Sequence, residues 1–351
     1  MIEKDVDLSL PFGVYLNSNI YELRRNEGIV ELRGGRCPYF KLSGLEKKGC
    51  NHCSLPIYSS EKKVSTDLLK KQIDNSFVEL RNISGSENIK SLSMYNGGSA
   101  FDSSEISREA LFYLFSEAVK YRDKNVFPKL NRISVESRES FVEDGLLEKS
   151  VKILEDITLE VGFGLESVND RIRNGDVDNY RGLIGLNKGI SIKDFEEAVD
   201  IVSGVGAQCK FYVMMQPVPW LSKKESIIDV VNTVGYLHNI SQSKNMPTFI
   251  HLNPMYAAKG SVLYDVWQNA FLEGKSLPDW QEVVDSLEVI DSNVAKLNSD
   301  EIYIYLGLDS EGLGENENRF NKRELIQFNK DQRLGTLIFL RNIFRNENDY
   351  R

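Results

Sequence analysis

The feature that most constrains this chain is an alternation, six times over, of short β-branched or apolar runs with longer amphipathic segments. Candidate strands are Gly28–Arg33, Ile89–Tyr95, Arg132–Glu136, Thr158–Leu165, Lys210–Gln216 and Phe249–Asn253. Between them, apolar residues recur at helical spacing over Thr66–Ile83, Glu105–Tyr121, Ser140–Leu154, Ile192–Val205 and Lys223–Ser241. Ser222 followed by Glu225 is a capping box at one helix start. Six βα units in series imply a mainly parallel sheet, because right-handed crossovers return each strand beside the last. The expectation is an α/β fold, a partial (β/α)6 barrel over residues 28–260, with functional groups at the carboxyl ends of its strands. Residues 1–27 form an N-terminal segment. Residues 261–351 form a C-terminal α/β extension, with helices at Leu263–Leu272 and Trp280–Val294. The alternating run Glu301–Leu308 in this extension suits an extra edge strand, and Asp309–Asn318 reads as a loop.

Composition narrows the function. No run approaches the roughly 18 apolar residues that span a bilayer, and the start MIEKDVDLSLPFG lacks a signal-peptide core, so a cytoplasmic protein is expected. The net charge of -9 excludes a surface that is basic everywhere. One local exception is Arg319–Arg351, with eight Lys or Arg against four Asp or Glu. This segment reads either as a solvated helical face or as a nucleic-acid contact.

Three of the four cysteines, Cys37, Cys50 and Cys53, fall in one loop just after the first strand. That clustering suits a metal better than a disulfide framework. Three thiolates can hold three irons of a cubane and leave the fourth open for chemistry. The same residues with His52, His238 or His251 would also suit zinc, and Cys50 with Cys53 would suit a redox dithiol. Cys209, at the base of a strand, reads as a small buried hydrophobe, and Met214 and Met215 read as core.

The strand ends downstream of the cysteine loop bear on this choice. The second strand ends in Asn96, Gly97, Gly98 and Ser99, the third in Glu136, Ser137 and Arg138, and the fourth in Glu166 and Ser167, with Arg171 and Arg173 in the next helix. In this order the motifs resemble the radical SAM (S-adenosylmethionine) superfamily. The common spacing there is Cys-x3-Cys-x2-Cys, whereas here the twelve residues Pro38–Gly49 separate the first pair. Long first spacings and Glu-Ser-Arg strand ends are features of its Elongator-like branch. Within that branch the run Asp156–Trp220 is most similar to the radical SAM subunit of archaeosine synthase. No acetyltransferase domain follows residue 300, unlike the Elongator catalytic subunit.

The resemblance implies a [4Fe-4S] cluster on Cys37, Cys50 and Cys53. It also implies a SAM site made by His52, Asn96, Gly97, Gly98, Ser99, Glu136, Glu166 and Arg171, with Arg173 an alternative to Arg171 and Lys188 an anion contact. The acidic residue usual in the glycine turn is replaced here by Ser99. Glu136, Gln216 and Asn253 are the catalytic candidates at the mouth, with Tyr256 beside them. The reaction implied is reductive cleavage of SAM to a 5'-deoxyadenosyl radical, fed by an electron donor protein. The implied substrate is a tRNA base, with a carbon-nitrogen lyase step on a lysine-bearing 7-deazaguanine, helped by tRNA-binding groups in the basic segment or a partner subunit. The alternatives are a radical SAM enzyme acting on a small metabolite, peptide or natural product, and a zinc-stabilised binding module.

Overall fold

The computed structural model describes residues 7–17, 26–35, 37–43, 46–55, 63–175, 184–278, 280–294 and 302–307. Its strands are β1 (Gly13–Asn17), β2 (Glu27–Glu31), β3 (Lys41–Ser43), β4 (Glu46–Lys48), β5 (Ser91–Tyr95), β6 (Arg132–Glu136), β7 (Thr158–Glu166), β8 (Gln208–Met215), β9 (Thr248–Pro254) and β10 (Ile302–Leu306). Its helices are α1 (Thr66–Asn82), α2 (Arg108–Asp123), α3 (Asp144–Leu154), the short α4 (Asp170–Asn174), α5 (Ile192–Gly204), α6 (Lys223–Ser243), α7 (Val262–Leu272) and α8 (Trp280–Val294).

One sheet has the order β1-β2-β5-β6-β7-β8-β9-β10. Strand β1 is antiparallel to β2, whereas the pairs β2–β5, β5–β6, β6–β7, β8–β9 and β9–β10 are parallel. Sequential strands paired in parallel and joined by helices have the topology of a partial (β/α) barrel, the fold class expected from the repeats. Strand β10 takes the edge position expected for the Glu301–Leu308 run. Glu301 and Leu308 themselves, the loop Asp309–Asn318 and the basic segment Arg319–Arg351 lie outside the described residues.

The chain divides into two compact units. The first comprises Met1–Phe40, Leu55–Phe163 and Glu196–Cys209, the second Lys41–Ser54, Gly164–Phe195 and Lys210–Arg351. In the first unit, α1 starts where Ser65 accepts a hydrogen bond from the Leu68 N–H, and it buries Leu69, Ile73, Phe77 and Leu80 on one face. Helix α2 starts the same way, Ser107 accepting from Ala110, and buries Leu111, Leu114 and Phe115. Val30, Leu92, Met94, Ile133 and Val135 of the adjoining strands complete this core. Cys209 is buried, and burial holds its thiol far above the ordinary thiol range, as suits a small core side chain.

In the second unit, Ser222 and Glu225 form the expected capping box at the start of α6. Trp267 of α7 centres a core with Ile172, Leu186, Met214, Val218 and Met255. Met215 is buried as well. Strands β9 and β10 alternate buried and half-buried residues, the period of a sheet with one packed face. Among the described residues, no helix is long and apolar enough to cross a membrane.

Candidate cofactor site at the strand ends

In the first unit the chain leaves β5 through Asn96-Gly97-Gly98-Ser99. Gly97 takes a left-handed conformation (φ 73°), which a glycine adopts without steric cost. Gly98 is required for a different reason: a Cβ there would stand 1.7 Å from the Glu105 carboxylate. That carboxylate, fully buried, accepts hydrogen bonds on Oε2 from the Ser99 N–H (3.0 Å) and the Asn96 amide (3.0 Å). The main-chain carbonyl of Glu105 accepts from the Gly35 N–H (3.1 Å), two residues before Cys37. Burial pushes the Glu105 carboxyl up to about 8; the Ser99 N–H pulls the other way, Asp102 adds to the rise, and the Asn96 amide and Arg138 oppose it.

The end of β6 joins this turn. The Ala100 N–H donates to the Glu136 carbonyl (2.8 Å) and the Arg138 N–H to the Ser99 hydroxyl (3.0 Å). The Arg138 guanidinium lies over the Tyr39 ring, 4.0 Å from its centroid. Tyr39 is itself in the turn that the Phe40 N–H closes onto the Cys37 carbonyl. The sequence-derived residues Asn96, Gly97, Gly98, Ser99 and Glu136 thus come together, with Cys37 two residues from Tyr39. Glu105 escaped the sequence reading because apolar periodicity ran the helix back to it. The missed signal was Ser107, whose capping hydroxyl starts α2 at Arg108 and leaves Glu105 in the preceding loop.

In the second unit the Cys50-Asn51-His52-Cys53 turn is closed by a bond from the Cys53 N–H to the Cys50 carbonyl (3.1 Å). Asn51, buried and also unremarked in the sequence, fastens it. Its N–H donates to the Leu186 carbonyl (2.8 Å), its side-chain amide to the Gly185 carbonyl (2.9 Å), and its carbonyl accepts from the Leu263 N–H (2.8 Å). Asn187 adds a bond to the Gly49 carbonyl (3.1 Å). Asn51→Ala is expected to strand the Gly185 carbonyl and cost about 1–2 kcal/mol, measured by urea unfolding. A loss too small to measure would mean the side-chain bond does not hold the turn.

Glu166 ends β7 with a left-handed backbone (φ 64°) and a bond from the Ser167 N–H to the Leu165 carbonyl (2.8 Å), the rarer and strained form of γ-turn. Its carboxylate pairs with Lys188 (3.1 Å), and His52 Nε2 lies 4.0 Å from the same oxygen. Gly164 makes room: a Cβ there would meet Lys188 Nζ at 2.6 Å and Glu166 Oε1 at 2.7 Å. Helix α6 clasps the turn through bonds from the Ser167 hydroxyl to Asp229 (2.8 Å) and from the Val168 N–H to the Thr233 hydroxyl (3.0 Å). Burial raises the Asp229 carboxyl to about 6, against the Ser167 bond and the charge of Arg173.

The two arginines separate. Arg173 is buried, and its guanidinium donates to the carbonyls of Ser167, Val168 and Ile190 and to Asp170, which makes it the brace of this turn. Arg171 stacks on Trp220, 4.5 Å from the ring centroid. Gln216, just past β8, also takes a left-handed backbone (φ 52°), and its N–H is held by the Ser226 hydroxyl (2.7 Å). Asn253 sits on the half-buried face of β9, where a Cβ on Gly307 would meet its side-chain oxygen at 2.1 Å. Tyr256 comes just after this strand. His238 is buried and within 3.2 Å of the Thr248 hydroxyl, and His251 lies between the rings of Tyr212 and Tyr305.

No protein-family model matches the chain. Among curated proteins, it is 24% identical to archaeosine synthase subunit beta of Methanosarcina acetivorans over 187 residues and 24% identical to that of Thermococcus kodakarensis over 224 residues. These matches cover 53% and 63% of this chain, and 46% and 60% of those proteins. An uncharacterized protein of Methanocaldococcus jannaschii is 26% identical over 265 residues, covering 73% of this chain and 64% of that one. The chain therefore spans about half to two thirds of the length of these relatives. Among solved structures, native anSMEcpe with bound AdoMet and a peptide has a TM-score of 0.40 at 12% identity, covering 77% of this chain and 62% of that one. Methylornithine synthase has 0.38 at 11% identity, covering 83% and 74%.

In sequence, then, the chain is similar to archaeosine synthase subunit beta. Cys37, Cys50 and Cys53 are half-buried, and cysteine thiolates are the ligands that an iron-sulfur cluster takes. The Asn96 and Glu105 side chains each keep one buried oxygen with no hydrogen-bond donor, beside the glycine turn. Each such acceptor calls for a donor, either a proton placed on one of the two oxygens or a donor-rich ligand. Among the described residues, no three His, Cys, Asp or Glu side chains already stand grouped as a metal site.

Proposed function

We propose that this chain is a radical SAM enzyme of tRNA base modification, of the carbon-nitrogen lyase type that forms archaeosine from a lysine-bearing 7-deazaguanine. In this reading Cys37, Cys50 and Cys53 would hold a [4Fe-4S] cluster, which with an electron donor protein would supply the electron for reductive cleavage of SAM to a 5'-deoxyadenosyl radical. The observation that carries it is Glu166. A buried carboxylate held on a strained turn at a strand end, paired with Lys188 and beside His52 of the cysteine loop, is an arrangement that stability alone does not favour.

The chain's own residues then have distinct tasks. The Asn96–Ser99 turn offers backbone groups to the amino-acid end of the cofactor, because Gly97 and Gly98 allow close approach. Glu136 and Glu166 accept hydrogen bonds from hydroxyl or amino donors. His52 would contact the adenine and Arg171 would pair with the cofactor carboxylate. Gln216, Asn253 and Tyr256 face the substrate. Residues 28–260 form the catalytic module of a cytoplasmic enzyme. The relatives' designation as a subunit supports a partner that carries tRNA contacts, since a net charge of -9 leaves this chain few of its own.

That same acidic charge favours a second reading, a radical SAM enzyme acting on a small metabolite, peptide or natural product. The first experiment is anaerobic reconstitution with iron and sulfide, followed by reduction with SAM and assay for 5'-deoxyadenosine. Its formation is expected; tight binding of zinc in place of iron would overturn the proposal. A salt-dependent affinity for deazaguanine-modified tRNA, alone or with the partner, separates the two enzyme readings.

A further inference from the structure

We propose that Glu105 is a positioning residue that works as a neutral carboxylic acid, latching the glycine turn to the segment that leads into Cys37. The proposal deepens the radical SAM reading and, for its effect on SAM, rests on it.

The latch has two arms. The carboxyl group occupies the space that a side chain on Gly98 would need and receives the Ser99 and Asn96 donors on one oxygen. The main chain of the same residue receives the Gly35 N–H, and Gly35 itself must lack a side chain, since a Cβ there would meet the Ser104 carbonyl at 2.8 Å. Ser99 is tied to both sides of the latch, its N–H donating to this carboxyl and its hydroxyl accepting from the Arg138 N–H. The carboxyl is therefore supplied to the turn by a residue six positions after Ser99.

Its neutral form follows from the accounting of donors. Glu105 is fully buried and has no ion pair among the described residues. Glu105 Oε1 and Asn96 Oδ1 are both buried acceptors without a donor, although the two side chains are hydrogen-bonded to each other through Oε2. One proton on Oε1 turns an orphaned acceptor into a donor, whereas a bare carboxylate would leave both oxygens unsatisfied and a charge uncompensated. The charged groups acting on it are Asp102 from its own loop and Arg138 from the end of β6. Asp102 is committed to the N–H and hydroxyl of Ser104, while Arg138 is divided between the Tyr39 ring and Glu139.

The test compares wild type with Glu105→Gln, which reproduces the neutral acid, and Glu105→Ala, which empties the space. In cofactor-free protein, a folded-state pKa of about 8 against an ordinary 4.5 makes this group's stabilisation complete below 4.5 and lost as pH rises to about 8. The melting temperature of wild type should therefore fall relative to Glu105→Gln between these limits and level off above them. In cluster-loaded protein, Glu105→Gln should bind SAM within about twofold of wild type at pH 7, Glu105→Ala about tenfold more weakly. Only wild type should lose additional affinity above pH 8. Parallel pH profiles of melting for wild type and Glu105→Gln, or a Glu105→Gln as weak as Glu105→Ala, would overturn the neutral latch. If wild type bound no SAM, the radical SAM reading would fail, and the cofactor-free melting profiles would still decide the protonation of Glu105.

Discussion

Replacing any one of Cys37, Cys50 and Cys53 with alanine is expected to abolish cluster loading and SAM cleavage together, with little change in the stability of the cofactor-free protein. The stability half of this expectation comes from the local bonds. The Phe40 N–H is held by the carbonyl of Cys37 and the Cys53 N–H by the carbonyl of Cys50, so the turns are made by main chain that alanine keeps. The thiols are half-buried, and trimming them leaves no sealed cavity. The activity half comes from ligand count: a cubane held by three thiolates has no spare protein ligand, and loss of one removes the site. Cys209→Ala is the contrasting case. It is wholly inside the core, and its loss should cost about 1–2 kcal/mol in packing while leaving the cluster intact. Visible absorbance and iron and sulfide content after anaerobic reconstitution report the first effect, and thermal melting the second. Retained cluster absorbance in all three single variants would sink the ligand assignment.

Much of the scaffold was legible because its signal is periodic. Arg132–Glu136 begins and ends where apolar patterning put it, since strand and helix periods differ and the segment is bounded by the polar Asn131 and Ser137. Strand β1 and the β3–β4 hairpin were not legible. Lys41–Ser43 and Glu46–Lys48 are three residues each and mostly polar, too short for any period to register. The same limit applies to the site. Motif order picked out Asn96–Ser99, Glu136, Glu166 and Gln216 as strand ends, and the backbone strain at Glu166 and Gln216 is an independent observation at two of them. Glu105 and Asn51 could not be found this way. Their roles arise from which loop folds beneath which turn, and one misplaced helix start was enough to hide Glu105. Arg171 and Arg173 are separated only by burial, because two arginines two residues apart look alike until one of them points inward.

Lys188→Met should destabilise the second unit by about 3 kcal/mol, because it leaves the Glu166 carboxylate in a buried site without its ammonium partner. Both side chains are nearly inaccessible, with 10% of Lys188 and 8% of Glu166 exposed, so solvent screens the pair little. Adding Glu166→Gln to Lys188→Met removes the stranded charge and should restore most of the loss, whereas Glu166→Gln alone should cost less than Lys188→Met. A double-mutant cycle followed by urea unfolding measures the coupling; values that simply add would mean that the ion pair contributes nothing specific. The backbone gives a second comparison. Asparagine tolerates a left-handed conformation better than glutamate does, so Glu166→Asn should recover part of the strain and hold stability near that of Glu166→Gln. If the strained turn exists to present a carboxylate to the cofactor, Glu166→Asn should nevertheless bind SAM at least tenfold more weakly, as expected for the loss of a charged hydrogen-bond acceptor. Stability and cofactor affinity would then move apart at one residue. Unchanged SAM affinity in Glu166→Asn would return Glu166 to a purely structural role as the partner of Lys188.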